Sequence, residues 1–223
     1  MRTISLSLIV SVSTAALLLA GGCNEAEETY MQTGSTVTGH FINRYVIPDS
    51  IAIQNDYFDM DSSITVNFKG YDLTHQYKDS ALFRTVSESL GDTSYTLPTT
   101  PDYEWAVAGT VYSVDIVCDK DFSGIAAGES LSSIIAFRAL SAYPFIKSGY
   151  SDFYDTPWKY YKNPRLCPIE IIGNNISPDG LKALYPTFQM YFTEIPDGIG
   201  DCLFTVTVDI DGKTLRNSIS LSF

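Results

Sequence analysis

Two residues near the carboxyl end, Asp211-Gly212, constrain this chain more than any other feature. Before them Phe204, Val206, Val208 and Ile210 alternate with Thr205, Thr207 and Asp209. After them Leu215, Ile219, Leu221 and Phe223 alternate with Thr214, Arg216, Ser218 and Ser220. A period of two puts each set on one face of an extended strand. Asp-Gly tolerates the two positive φ angles of a type I′ turn, whose twist matches that of the flanking strands. The two-residue loop then dictates the register: Val208 opposite Leu215, Phe204 opposite Ile219, Cys202 opposite Leu221. Asn217, facing Val206, breaks the apolar series and needs a hydrogen-bond partner wherever it is buried.

Other segments repeat the strand signature. Residues 112–118 and 64–68 are the clearest, and 41–47, 81–86, 105–108, 134–137, 168–172 and 188–193 are further strand candidates. Helices are expected to be brief. Ser177-Pro178-Asp179-Gly180-Leu181 reads as a capped start with Pro at the first helical position, and Gly128-Glu129-Ser130-Leu131 as another start. Many short strands with turn signals between them predict an all-β antiparallel sandwich with short helical turns.

Composition narrows the function classes. With 26 acidic against 14 basic residues in 223, the net charge of −12 argues against nucleic-acid binding, which needs a Lys/Arg stripe. Two histidines exclude a His-rich metal site, and 15 Tyr, 12 Phe and 2 Trp favour packed β-structure or an adhesive surface.

The amino end has a different character. Arg2 precedes an apolar run from Ile4 to Ala20, diluted by Ser5, Ser7, Ser11, Ser13 and Thr14. This is the pattern of a secretory signal, and its dilution and its end at Asn24-Glu25 argue against a membrane span. Ala20-Gly21-Gly22-Cys23 resembles the lipobox of bacterial lipoproteins, with Ala20 where Leu is usual. The resemblance implies cleavage before Cys23 and acylation of its thiol; the other reading is an ordinary cut after Gly22 that leaves Cys23 free. Asn24-Glu25-Ala26-Glu27-Glu28-Thr29 reads as an extended, solvated tether, and it also resembles the surface-export signal of some Gram-negative gut bacteria. The expected organisation is a signal peptide over 1–22, an acidic tether over 23–38 and one sandwich domain over 39–223, held to outer-membrane lipid through Cys23 and facing the cell surface. Leader, tether, β-domain and terminal hairpin together look like the uncharacterised lipoprotein families of Gram-negative gut bacteria with an Ig-like sandwich. That resemblance brings no catalytic motif, and the Cys…Trp…Cys signature of antibody domains is missing.

Cys118, Cys167 and Cys202 remain. Two could pair in an oxidising envelope and leave one over, or all three could be small buried hydrophobes. No C-x-x-C spacing supports zinc or thioredoxin chemistry.

Catalytic constellations are thin. There is no G-x-S-x-G elbow, and His75 in Asp72-Leu73-Thr74-His75 has no visible nucleophile beside it and reads as a solvated loop histidine. Gly198-Ile199-Gly200 follows Pro196-Asp197 and reads as a turn rather than a phosphate loop. Glu129, Glu170 and Glu194 are isolated, so a glycosidase pair would have to converge in space. Asp56, Asp59 and Asp61, with Asn55, offer oxygen ligands for calcium but lack the EF-hand spacing. No cofactor is expected. The most unusual segment is 150–161, where Tyr150, Phe153, Tyr154, Trp158, Tyr160 and Tyr161 are interspersed with Asp152, Asp155 and Lys159. Tyr150, Tyr154, Trp158, Tyr160 and Tyr161 are candidate ligand-binding residues, because aromatic faces stack on sugar rings and supply contact area at low entropy cost. The same segment folded back as a satellite cluster is the alternative. The function expected is a non-catalytic surface binding or adhesion/assembly module contacting a surface protein or a glycan. Glycan capture by 150–161 and a hydrolase with spatially convergent acids are the alternatives.

Overall fold

The computed structural model describes residues 39–56, 63–74, 80–97, 104–155, 163–196 and 200–222. The strands are β1 (Arg44–Asp56), β2 (Ser63–Thr74), β3 (Trp105–Val107), β4 (Thr110–Cys118), β5 (Ile135–Ser141), β6 (Cys167–Ile172), β7 (Leu181–Lys182), β8 (Thr187–Phe192), β9 (Asp201–Ile210) and β10 (Lys213–Ser222). Two helices, α1 (Ser80–Leu90) and α2 (Tyr143–Lys147), and a 3-10 turn at Ser132–Ile134 complete the elements. One sheet has six strands in the order β3-β1-β2-β8-β5-β6, the other four in the order β10-β9-β4-β7. All pairings are antiparallel except the short β1–β3 contact. The all-β sandwich expected from the alternation is the fold.

The terminal hairpin forms in the register its turn dictates, with Val208 opposite Leu215, Phe204 opposite Ile219 and Cys202 opposite Leu221. Asp211 and Gly212 take φ of 46° and 78°, the positive pair of a type I′ turn. Asn217 finds its partner in the other sheet: its side-chain amide donates to the Ile51 carbonyl at 2.7 Å. Lys213 Nζ donates to the Pro48 carbonyl at 3.0 Å, so β10 is stitched to β1 by two side chains where no strand ladder joins them.

The main core lies between the sheets. Ile51, Ile64, Val66, Phe68, Phe137, Phe188 and Met190 from the six-stranded sheet meet Val114, Ile116, Phe204, Val206, Val208 and Leu215 from the four-stranded one. A second cluster is built from Phe41, Ile42, Tyr45, Leu73, Phe83, Tyr95, Leu140, Phe145 and Leu166, and brings in α1, α2 and the loops around them. β5 serves both clusters, with Ile135, Phe137 and Ala139 in the main core and Leu140 in the second.

A bulge in β1 makes this division possible. The register with β2 shifts between Pro48 and Ser50, which inserts one extra residue in β1. Tyr45 and Ile51 are both odd-numbered, yet Tyr45, opposite Leu73, belongs to the second cluster, and Ile51, opposite Phe68, to the main core. One inserted residue reverses which face the alternation serves. Gly70 sits opposite the bulge, where a Cβ would lie 2.0 Å from the Ile47 carbonyl oxygen and 2.9 Å from the Asp49 nitrogen. No other residue fits that approach. A second register shift, between Val111 and Ser113 of β4, leaves Val111 in the core and Tyr112 exposed.

Three local expectations are corrected. Residues 81–86 belong to helix α1 rather than to a strand. Phe83, Ser87 and Leu90 are buried at helical spacing, a face that a strand would split. Residues 177–181 form a turn closed by Gly180 N–H donating to the Ser177 carbonyl at 2.7 Å, and the chain passes directly into β7. Gly128 opens no α-helix; its N–H bonds the Cys118 carbonyl at 2.7 Å and the chain reaches the 3-10 turn four residues later.

Candidate functional site

A groove of about 340 Å³ opens where the β1 bulge, β3 and the entry to β8 meet, lined by Arg44, Val46, Asn67, Lys69, Asp72, Trp105 and Tyr185 among others. Most of the lining groups sit on paired strands. β3 lies parallel to β1 with Trp105 beside Arg44, and β2 places Asp72 opposite Val46. The Arg44 guanidinium stacks 3.9 Å from the Trp105 ring centroid, and its Nη1 lies 3.5 Å from Asp72 Oδ2. The planar cation over an aromatic face, steered by a carboxylate, is a pre-positioned stack. Beside it Thr187 Oγ1 donates to Asn67 Oδ1 at 2.8 Å. The groove therefore offers an aromatic wall, two cations and amide and hydroxyl groups held on sheet rather than on loop.

Sequence reasoning assigned Trp105 to a strand and missed it as a wall. Arg44 and Trp105 are 61 residues apart in the chain, and the visible signal was only that one of two tryptophans sat in a short strand.

The aromatic segment is described through residue 155. Tyr150 and Tyr154 are half-buried and pack on the second cluster. The Tyr150 ring lies edge-on to Tyr95 at 5.1 Å and to Phe145 at 5.7 Å, and its hydroxyl donates to Asp92 Oδ1 at 3.0 Å. Phe153, not among the expected ligand residues, is the outward-facing ring, 62% exposed. Trp158, Tyr160 and Tyr161 lie outside the described residues, as do Cys23, His75, Asp59 and Asp61 and the side chain of Asp56. Among the described residues no group of three His, Cys, Asp or Glu side chains is placed to hold a metal ion.

Two acids that the sequence did not single out are buried. Asp92, 0% exposed, follows Gly91 at the end of α1. Gly91 N–H donates to the Glu88 carbonyl and Asp92 N–H to the Ser87 carbonyl, the Schellman pattern that ends a helix at a glycine of positive φ. That stop swings the Asp92 carboxylate inward, where it accepts the Phe41 N–H at 2.7 Å, the Ile42 N–H at 2.9 Å and the Tyr150 hydroxyl. Burial holds its carboxyl above the ordinary range, and the two backbone donors and Tyr150 pull part of the way back. The Tyr45 hydroxyl, 3.5 Å from Asp92, is pushed well up by burial and by that carboxylate. His40 joins through Nδ1, hydrogen-bonded to the Asp92 carbonyl, with its ring edge on Phe83 at 5.3 Å.

Glu104, 1% exposed, accepts from Asn43 Nδ2 at 3.2 Å and lies 3.7 Å from Arg165 Nη1. Both buried acids tie segment 39–43 to distant loops. Glu170 sits on the sheet surface, paired with Arg138 at 3.4 Å and accepting the Tyr191 hydroxyl. Asp209, beside the hairpin turn, accepts the Thr214 and Ser113 hydroxyls, which hold its carboxyl below the ordinary range.

Compared with protein-family models, with curated proteins and with solved structures, the chain returned no match.

Proposed function

We propose that the protein is an exported envelope lipoprotein, anchored in the outer membrane through Cys23 and acting at the cell surface as a non-catalytic binding or assembly module, of the kind found among lipoproteins of Gram-negative gut bacteria. The observation that carries the binding role is the groove at Trp105: an aromatic–cationic stack on rigid strands, large enough for a side chain or a sugar ring. The leader and acidic tether, read from sequence, support the address. The buried acids Asp92 and Glu104 are spent on internal bonds, which suits a scaffold. A second reading, glycan capture by 150–161, is favoured by the outward Phe153 ring in that segment.

The test is capture of surface proteins and printed glycans by the full chain, compared with Trp105→Ala and Trp158→Ala. Loss of at least tenfold in Trp105→Ala alone supports the groove, and loss in Trp158→Ala alone transfers the role to the aromatic segment. Binding unchanged in both overturns the two readings. Intact mass of material from the native host tests the anchor: acyl increments on a chain beginning at Cys23 support it, whereas a bare thiol or an uncut leader removes it.

A further inference from the structure

The three cysteines of the described residues are not equivalent. Cys118 is the last residue of β4 and Cys202 the second of β9, and these strands are antiparallel neighbours with Cys118 directly opposite Phe204. Cys202 is two residues from that partner, so both thiols leave the same face of the sheet on a diagonal. The ladder continues one step beyond them, with Asp119 N–H donating to the Leu203 carbonyl at 3.1 Å, so Cys118–Phe204 is a non-hydrogen-bonded site, where facing side chains approach most closely. The right-handed twist of the sheet shortens one of the two diagonals. Both side chains are buried in the main core as free thiols and as neighbours, and the Cys118 thiol reaches Asp119 Oδ1 at 3.8 Å. Cys167 is elsewhere, half-buried on β6 of the other sheet, with its thiol on the Pro168 carbonyl at 3.7 Å.

We propose that Cys118 and Cys202 are a redox pair that closes to a cross-strand disulfide, with Cys167 as the odd thiol left over. The oxidant is a small-molecule or protein disulfide. One thiol loses its proton and attacks a sulfur of the incoming disulfide, forming a mixed disulfide and expelling one thiolate. The second thiol, deprotonated in turn, attacks the mixed disulfide and expels the other. Two electrons and two protons pass to the oxidant, which leaves as two thiols, and one S–S bond joins β4 to β9.

The site also says when closure occurs. Burial and the neighbouring thiol push the Cys118 thiol up to about 11, so the thiolate is scarce in the folded protein at neutral pH. Closure belongs to folding, or to opening of the strand ends where both residues lie. Once made, the bond encloses the chain from Cys118 to Cys202, including β5–β8, and is expected to raise Tm by roughly 10 °C.

The experiment refolds the full chain in mixtures of glutathione and glutathione disulfide, quenches with an alkylating agent in denaturant and maps the peptides. The result expected is one linked species, two hydrogens lighter than its parts, joining the Cys118 and Cys202 peptides, with Cys167 alkylated. Cys167→Ala keeps that link, which separates the pairing from any folding defect of a core substitution. Alkylation of both Cys118 and Cys202 at the most oxidising mixture overturns the proposal, as does a bridge that includes Cys167.

Discussion

The two cores of this protein solve the same problem in different ways. Between the sheets, burial comes from strand alternation: Val206, Val208 and Phe204 face Ile64, Val66 and Phe68, and nearly every contributing side chain is apolar. On the helical side, aromatic rings meet edge-on, Phe41 with Phe145 at 4.9 Å and with Tyr95 at 5.4 Å, and they enclose Asp92, Ser87 and Glu104. The first arrangement needs only the correct face inward. The second needs each polar atom met by a particular partner, because an unmet buried acid costs more than its bonds return. Apolar burial thus sets the architecture, and the polar lattice fixes where segment 39–43 and the loops lie upon it.

Four substitutions should break or sharpen that contrast, from the most damaging to the least. Val206→Pro removes a ladder donor from β9, which is paired on both sides, so no cooperatively melting protein is expected by circular dichroism. Because the second core rests on the sheet this one covers, both should be lost together. Gly70→Ala drives a methyl into the backbone at the bulge that divides the two, with an expected loss of about 3–5 kcal/mol in urea unfolding.

Asp92→Asn keeps the shape but turns amide hydrogens toward a backbone donor, with an expected loss of about 2 kcal/mol confined to the helical side. It should also change the pH profile. Because the native carboxyl is raised above its unfolded value, the native state holds that proton more tightly. Its contribution is therefore greatest in acid and declines as pH rises through the native value. The stability difference between wild type and Asp92→Asn should vary across that window, from about pH 4 upward, and level off above it. Phe153→Ser, on an outward ring, should cost under about 0.5 kcal/mol and leave both cores intact.

Legibility in the sequence followed the same division. The hairpin register could be written down residue by residue, because a two-residue turn and a period of two leave no freedom. Helix α1 was misread because 81–86 is short and mixed in character. The spacing of Phe83, Val86, Ser87 and Leu90, closed by Gly91, extends past that window and only then shows a helical face. The Asp92 lattice was not legible at all: its donors Phe41 and Ile42 lie about fifty residues upstream, and nothing local marks the pair. Trp105 and Arg44 were hidden for the same reason. They meet through a three-residue parallel strand that alternation does not announce.

Native-state hydrogen exchange of the full chain tests the two-core account most directly. Amides in the middle of β4 and β9 should exchange only through global unfolding, whereas the Phe41 and Ile42 amides, held by the Asp92 carboxylate, should exchange through a smaller opening that Asp92→Asn accelerates without changing those strand centres. Equal protection in both regions, or acceleration of both in Asp92→Asn, would contradict it.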